Sequence, residues 1–83
     1  MTLSDYKIDD IVVYRNELNQ PLTIEIISEV NKDYIKAKVI KILDKGLGNI
    51  LNEEYIYGIS TDLNTFNIET LSLITPLEKL KYL

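Results

Sequence analysis

The chain of 83 residues contains no cysteine, no histidine and no tryptophan. Without cysteine there can be no disulfide framework, no thiolate zinc site and no cysteine nucleophile, and without histidine the serines lack their usual activating base. We therefore expect a protein that is not an enzyme and that holds no metal and no cofactor. A chain free of cysteine also suits a reducing compartment, so we expect a cytoplasmic protein.

Positive charge is scarce as well. Nine Lys and Arg residues stand against 13 Asp and Glu residues, which gives a net charge of -4, and arginine occurs only at Arg15. This balance opposes general attraction to nucleic-acid phosphates, because duplex-binding proteins usually carry a basic surface. No apolar run approaches the roughly 20 residues that span a bilayer, and the start of the chain lacks a secretion-signal pattern. The length predicts a single domain over residues 1–83.

Glycine and proline are few, so we expect short loops, and the apolar residues follow the two-residue period of strands over most of the chain. Tyr55 and Tyr57 share one face of a predicted strand. Gly58, on the other face of that strand, indicates a bend or a close approach of the backbone. The predicted strands lie within residues 6–15 and at 22–30, 35–43, 54–60 and 71–74, with loops at 16–21 and 61–65.

The third predicted strand contains a change of phase. In "YIKAKVIKIL" (residues 34–43), apolar residues alternate with lysine as far as Val39, and the alternation then shifts by one residue before Lys41. A shift of this kind predicts a β-bulge, a feature that bends a sheet.

The second predicted strand, residues 22–30, should form a hairpin with the third through a turn at 31–34. This register places Val30 opposite Ile35 and Ile26 opposite Val39. It also places Glu29 opposite Lys36, a favourable cross-strand pair of charges. Alternation predicts that Leu22, Ile24, Ile26 and Val30 face the core while Thr23, Glu25 and Glu29 face water.

The C-terminal residues carry a helix signal. Thr75 and Glu78 form a capping box with Pro76 at the first helical position, and a turn is predicted just upstream at 67–70. So short a helix is marginal in water unless its apolar side packs on the body or on a partner. The residues of that side are Leu77, Leu80 and Leu83.

Three segments, "YKIDDIVVY", "QPLTIEII" and "FNIETL", resemble parts of small uncharacterised bacterial and phage proteins with SH3-like barrels. Asp9 stands where that pattern has glycine, which argues against a tight turn there. The resemblance implies a mainly β fold, a small five-stranded SH3-like barrel with a short C-terminal helix.

Tyrosine supplies most of the aromatic surface, with six tyrosines against one phenylalanine. One interpretation is that these side chains cover a small core. The other, implied by the resemblance, is that they line a peptide groove, as aromatic residues of SH3-like barrels do. On that hypothesis the chain is a non-enzymatic protein-interaction module, a small phage or mobile-element protein that binds and modulates a host protein. The candidate partner-binding residues are Tyr14, Tyr34, Tyr55 and Tyr57.

Two alternative functions remain. Lys36, Lys38 and Lys41, called here the lysine row, would bind nucleic acid or a nucleotide, although Glu25 and the net charge oppose this. In the other alternative the chain is a structural homo-oligomer subunit, whose contact is the leucine stripe formed by Leu77, Leu80 and Leu83.

Overall fold

The structure, a computed structural model, describes residues 3–59 and 64–83. Within these residues the strands are β1 (Ile11–Arg15), β2 (Pro21–Val30), β3 (Tyr34–Ile42), β4 (Glu54–Gly58), β5 (Thr65–Asn67) and β6 (Leu71–Leu73), and a helix, α1 (Pro76–Tyr82), follows. The strands form one sheet in the order β5-β4-β3-β2-β1-β6. Neighbours pair antiparallel except β4 and β5, which are parallel.

The sheet curls into a half-barrel. Three strands separate β1 from β5 in the sheet, yet the ring of Tyr14 on β1 lies 5.8 Å from the ring of Phe66 on β5. The predicted mainly β class with a short C-terminal helix is confirmed, with six strands in place of five. The additional strand is β5, which begins at the last residue of the segment predicted as a loop. Of the other loop residues, 61–63 lie outside the described residues.

Two bulges set the curvature and the register of the β2–β3 hairpin. The predicted pairs Val30–Ile35 and Glu29–Lys36 are present, and the predicted bulge after Val39 is confirmed by an extra residue, Ile40, on β3. A second register shift, at Ser28 on β2, was not predicted. Because Ser28 is an extra residue on β2, the β2 residues before it pair with β3 one position out of the predicted register.

The shift at Ser28 reverses the faces of the rest of β2. Glu25, in place of Ile26, becomes the partner of Val39, so Thr23, Glu25 and Ile27 turn to the concave side. The prediction that Thr23 and Glu25 face water is therefore wrong, and both are buried.

The concave side holds the main core. Tyr6 belongs to it, and its hydroxyl donates to the Leu71 carbonyl oxygen at 2.8 Å. Burial, with a smaller contribution from Asp5, raises the pKa of Tyr6 to about 12. The buried residues of this core are Leu3, Tyr6, Val12, Ile27, Ile35, Ala37, Tyr57, Ile68 and Leu71.

A turn separates Tyr6 from β1. It forms although Asp9 stands where the SH3-like pattern has glycine. Asp9 adopts the left-handed conformation, with φ of 74°, and its N–H donates to the Ile27 carbonyl oxygen at 2.9 Å. Aspartate tolerates this conformation better than most residues do, so the turn forms without glycine. Strand β1 consequently begins at Ile11.

The opposite, convex side carries α1. The predicted capping box is confirmed, since the Glu78 N–H donates to Thr75 Oγ1 and the Thr75 N–H to Glu78 Oε1, both at 3.1 Å. Arg15 Nη2 donates to both Glu78 carboxylate oxygens at 2.7 and 2.8 Å. At the other end of the helix, Lys41 Nζ donates to the Tyr82 carbonyl oxygen. These contacts hold the helix across β1, β2 and β3, where Val13 and Ile24 are fully buried.

Candidate functional site

A cavity of about 210 Å³ lies on the concave side of the half-barrel. We call it the aromatic pocket. Its walls come from β1, β2, β4, β5 and the segment that joins β3 to β4, so it exists only because the sheet is curled. The lining residues are Tyr14, Thr23, Glu25, Leu47, Ile50, Tyr55, Tyr57 and Phe66.

Strand pairing aligns the lining residues. Tyr14 on β1 is the partner of Thr23 on β2, and Tyr57 on β4 is the partner of Phe66 on β5. Tyr55 lies two residues before Tyr57 and so shares its face. The close packing of β4 against its neighbours depends on Gly58, because a Cβ there would meet the Asp33 carbonyl oxygen at 3.1 Å. This confirms the close backbone approach that the sequence predicted.

Phe66 is the centre of the aromatic cluster. Its ring centroid lies 5.8 Å from that of Tyr14, 5.6 Å from that of Tyr55 and 5.8 Å from that of Tyr57. The ring planes meet at 36° to 73°, which are the tilted and edge arrangements that aromatic pairs favour. Phe66 is nevertheless 41% exposed, so part of its side chain remains open to solvent.

A carboxyl group lies beneath these rings. Glu25 is only 1% exposed. The Tyr57 hydroxyl donates to its two carboxylate oxygens at 2.8 and 2.9 Å, and the Thr23 hydroxyl donates to Oε2 at 2.6 Å. Burial raises the pKa of Glu25, and the hydrogen bonds from Thr23 and Tyr57 offset only part of that effect. Burial and the neighbouring Glu25 also raise the pKa of Tyr57.

Glu25 has no cationic partner among the described residues, where the salt bridge present joins Arg15 to Glu78. A second carboxylate lies near the pocket: the Tyr55 hydroxyl donates to Glu53 Oε2 at 2.7 Å. That hydrogen bond, together with burial, raises the pKa of Tyr55 to about 12. The pocket thus combines an apolar aromatic wall with one buried carboxyl group, that of Glu25, while the exposed Glu53 is hydrogen-bonded to one of its tyrosines.

The structure brings together three of the four candidate tyrosines. Tyr14, Tyr55 and Tyr57 all line the aromatic pocket. Tyr34 does not, because it lies at the turn of the β2–β3 hairpin, where its hydroxyl donates to Glu29 Oε2 at 2.7 Å. Tyr57 is also part of the core, so the two interpretations of the tyrosines are not exclusive for that residue.

Five lining residues of the pocket were not among the candidates from the sequence: Thr23, Glu25, Leu47, Ile50 and Phe66. Glu25 was assigned to the water-facing side because simple alternation was carried through β2. The adjacent apolar residues Ile26 and Ile27 were the available signal of a change in phase. No comparable signal marked Phe66, since its place depends on the pairing of β5 with β4.

The lysine row lies on the convex side. Lys36 and Lys38 alternate with buried residues of β3, and the bulge after Val39 returns Lys41 to the same side. Each lysine has either an acidic cross-strand partner or a hydrogen-bond acceptor for its ammonium group. Lys36 is paired in register with Glu29, Lys38 with Glu54, and Lys41 donates to the Tyr82 carbonyl oxygen.

The leucine stripe of α1 does not pack on the body of the protein. Leu77, Leu80 and Leu83 are 74%, 86% and 59% exposed. The helix instead contacts the sheet through Glu78 and Tyr82, which are four residues apart and partly buried.

Over residues 3–59 and 64–83, the structure contains no helix with the length and apolar character needed to cross a membrane. Comparisons with protein-family models, with curated proteins and with solved structures find no match to this chain.

Proposed function

We propose that the chain is a non-enzymatic protein-interaction module that receives a side chain of a partner protein in the aromatic pocket. The observation that carries this proposal is the half-exposed ring of Phe66, packed on three tyrosines around a cavity of about 210 Å³. Rigid aromatic groups in a concave site are the residues on which binding energy concentrates in protein interfaces.

The size of the pocket supports a side chain as its occupant. Small-molecule sites usually enclose roughly 300–1,000 Å³, whereas an apolar cavity of ~150 Å³ already holds a benzene molecule. A volume of about 210 Å³ lies between these values and suits one protruding side chain.

The curled sheet and its aromatic hollow also fit the resemblance to small SH3-like proteins of bacteria and phages. We extend the proposal accordingly: the chain acts in the cytoplasm as a phage or mobile-element product that binds and modulates a host protein.

A random-peptide display library tests the binding role without knowledge of the natural partner. The wild-type chain is expected to enrich peptides that a Phe66→Ala variant does not retain, because the variant lacks the central ring of the pocket. Leu80→Ala is the matched control, since it removes an exposed apolar side chain of α1 and should retain the same peptides. Circular dichroism spectra of both variants are compared with that of the wild type to check that each variant is folded. Equal retention by wild type and Phe66→Ala would contradict the proposal.

The leucine stripe supports a second candidate function, a structural homo-oligomer. Leu77 and Leu80 on α1 and Leu83 directly after it have exposures of 59% to 86% and form an apolar surface of the kind that partners cover. Sedimentation equilibrium at micromolar concentration should then give a mass above that of one chain, and Leu80→Glu should return it to the monomer value. A monomer for both chains would contradict self-association.

A further inference from the structure

The buried acid of the aromatic pocket, which lacks a cationic partner among the described residues, indicates the chemistry of the occupant. Glu25 lies with 1% exposure among apolar and hydroxyl groups and has no Lys or Arg within salt-bridge distance in the part of the chain that the structure describes. Removing a carboxylate from water is costly unless a cation or several hydrogen bonds compensate for it. Hydrogen bonds from Tyr57 and Thr23 are present, but a positive charge is absent.

The aromatic wall offers a second attraction for positive charge. Ring faces carry negative potential, so an ammonium group within about 6 Å of a ring centroid is attracted to it, and most strongly where water is excluded. Tyr14, Tyr55 and Phe66 surround the cavity at mutually inclined angles, with the two tyrosines 5.8 and 5.6 Å from the phenylalanine. Rings inclined in this way can contact a single group from several sides.

Charge outside the pocket acts in the same direction. Glu53 accepts a hydrogen bond from the Tyr55 hydroxyl and places a carboxylate one side chain away from the cavity. The whole chain has a net charge of -4. A cationic partner would be attracted over a distance and would find Glu25 in the lining of the cavity.

We propose, on the basis of the binding role proposed above, that the aromatic pocket takes an alkylammonium group of the kind that a lysine side chain carries. Glu25 is the counter-charge, and Tyr14, Tyr55 and Phe66 are the walls. The occupant has an apolar methylene chain, which suits the rings, and a charged end, which suits the carboxyl group. No bond is formed in this association; a proton held by Glu25 passes to the solvent when the ammonium group binds.

The proposal predicts how affinity depends on pH. The groups that face Glu25 are Thr23 on β2, Tyr14 on β1, and Tyr55 and Tyr57 on β4, and none of them is a cation. Affinity for an alkylammonium ion should therefore rise with pH as Glu25 loses its proton.

The test titrates the full-length, ¹⁵N-labelled protein with n-butylammonium and with 1-butanol, a neutral molecule of the same size. We expect butylammonium to perturb the amide resonances around Tyr55 and Phe66 in a saturable way, with affinity roughly tenfold higher than that of butanol. Its affinity should increase between pH 4 and pH 8 while that of butanol stays constant.

Two variants complete the design. Glu25→Gln should reduce the preference for butylammonium to about that for butanol and remove most of the pH dependence. Glu54→Gln, which removes a charge on β4 but on the convex side, should leave both unchanged. The pH profile of the wild type keeps the test decisive if Glu25→Gln does not fold.

The outcomes separate the two proposals. Equal affinities for butylammonium and butanol in the wild type would overturn the inference about charge and leave the binding role standing. Perturbation by neither compound would also overturn it, and the peptide library would then decide the binding role by itself. A preference for butylammonium that survives in Glu25→Gln would show that Glu25 is not the counter-charge.

Discussion

Replacing Glu25 with glutamine removes a titratable group from the aromatic pocket while keeping the size of the side chain. Burial raises the pKa of Glu25 in the folded protein above the ordinary value of 4.5. Below that value the carboxyl group is protonated in both the folded and the unfolded chain, so its stability contribution is fully present. As the pH rises through the folded pKa, that contribution is lost, because only the unfolded chain ionises without penalty.

The magnitude follows from proton linkage. Between the unfolded and the folded pKa of Glu25, the free energy of unfolding falls by at most ~1.4 kcal/mol per pH unit. Glutamine does not ionise, so the free energy of unfolding of Glu25→Gln does not fall in this way. The free energy of unfolding of Glu25→Gln minus that of the wild type should therefore increase from pH 4.5 upward and reach a plateau above the folded pKa.

Urea unfolding followed by circular dichroism at half-unit steps from pH 4 to pH 8 measures this difference. Glu17→Gln is the matched control, since it removes the same charge from an exposed position in the loop between β1 and β2. Its difference from the wild type should stay nearly constant. The reasoning would be refuted if the curve for Glu25→Gln were as flat as that for Glu17→Gln, or if it declined with pH.

Three further predictions concern the scaffold, and urea unfolding checks each of them. Arg15→Ala and Glu78→Gln, combined in a double-mutant cycle, should give a coupling of about 1 kcal/mol that weakens in high salt; no coupling would show that the ion pair does not hold α1. Gly58→Ala should cost ~1–3 kcal/mol, since its Cβ would meet a backbone carbonyl at 3.1 Å; unchanged stability would contradict that close approach. Thr75→Ala should cost ~1 kcal/mol and Thr75→Ser much less, and equal losses would exclude the capping hydroxyl as the cause.

Local signals in the sequence predicted much of the scaffold. The capping box at Thr75 needs only neighbours along the chain, and so does the bulge after Val39, where a change in alternation is visible in the sequence. The hairpin pairs Val30–Ile35 and Glu29–Lys36 follow from a four-residue turn. Each of these features is decided within about ten residues.

Of the features that were missed, the bulge at Ser28 is local and marked only by the adjacent Ile26 and Ile27, whereas the others depend on contacts between distant segments. The bulge at Ser28 reverses the face of Glu25, and one residue of shift was enough to move a charged side chain from the predicted surface into the pocket. Strand β5 has three residues and pairs in parallel with β4, so neither its length nor its alternation marks it. Phe66 reaches Tyr14 only through the curl of the whole sheet.

The central claim is that the aromatic pocket, and not the lysine row or the leucine stripe, is the surface that binds a partner. The most direct measurement is a ¹⁵N–¹H correlation spectrum of the labelled chain titrated with the most enriched display peptide. We expect the largest saturable shifts on the amides of Tyr14, Tyr55 and Phe66. Binding in the aromatic pocket would be contradicted if the largest shifts fell on Lys36–Lys41 of β3 or on α1 while the pocket amides stayed in place.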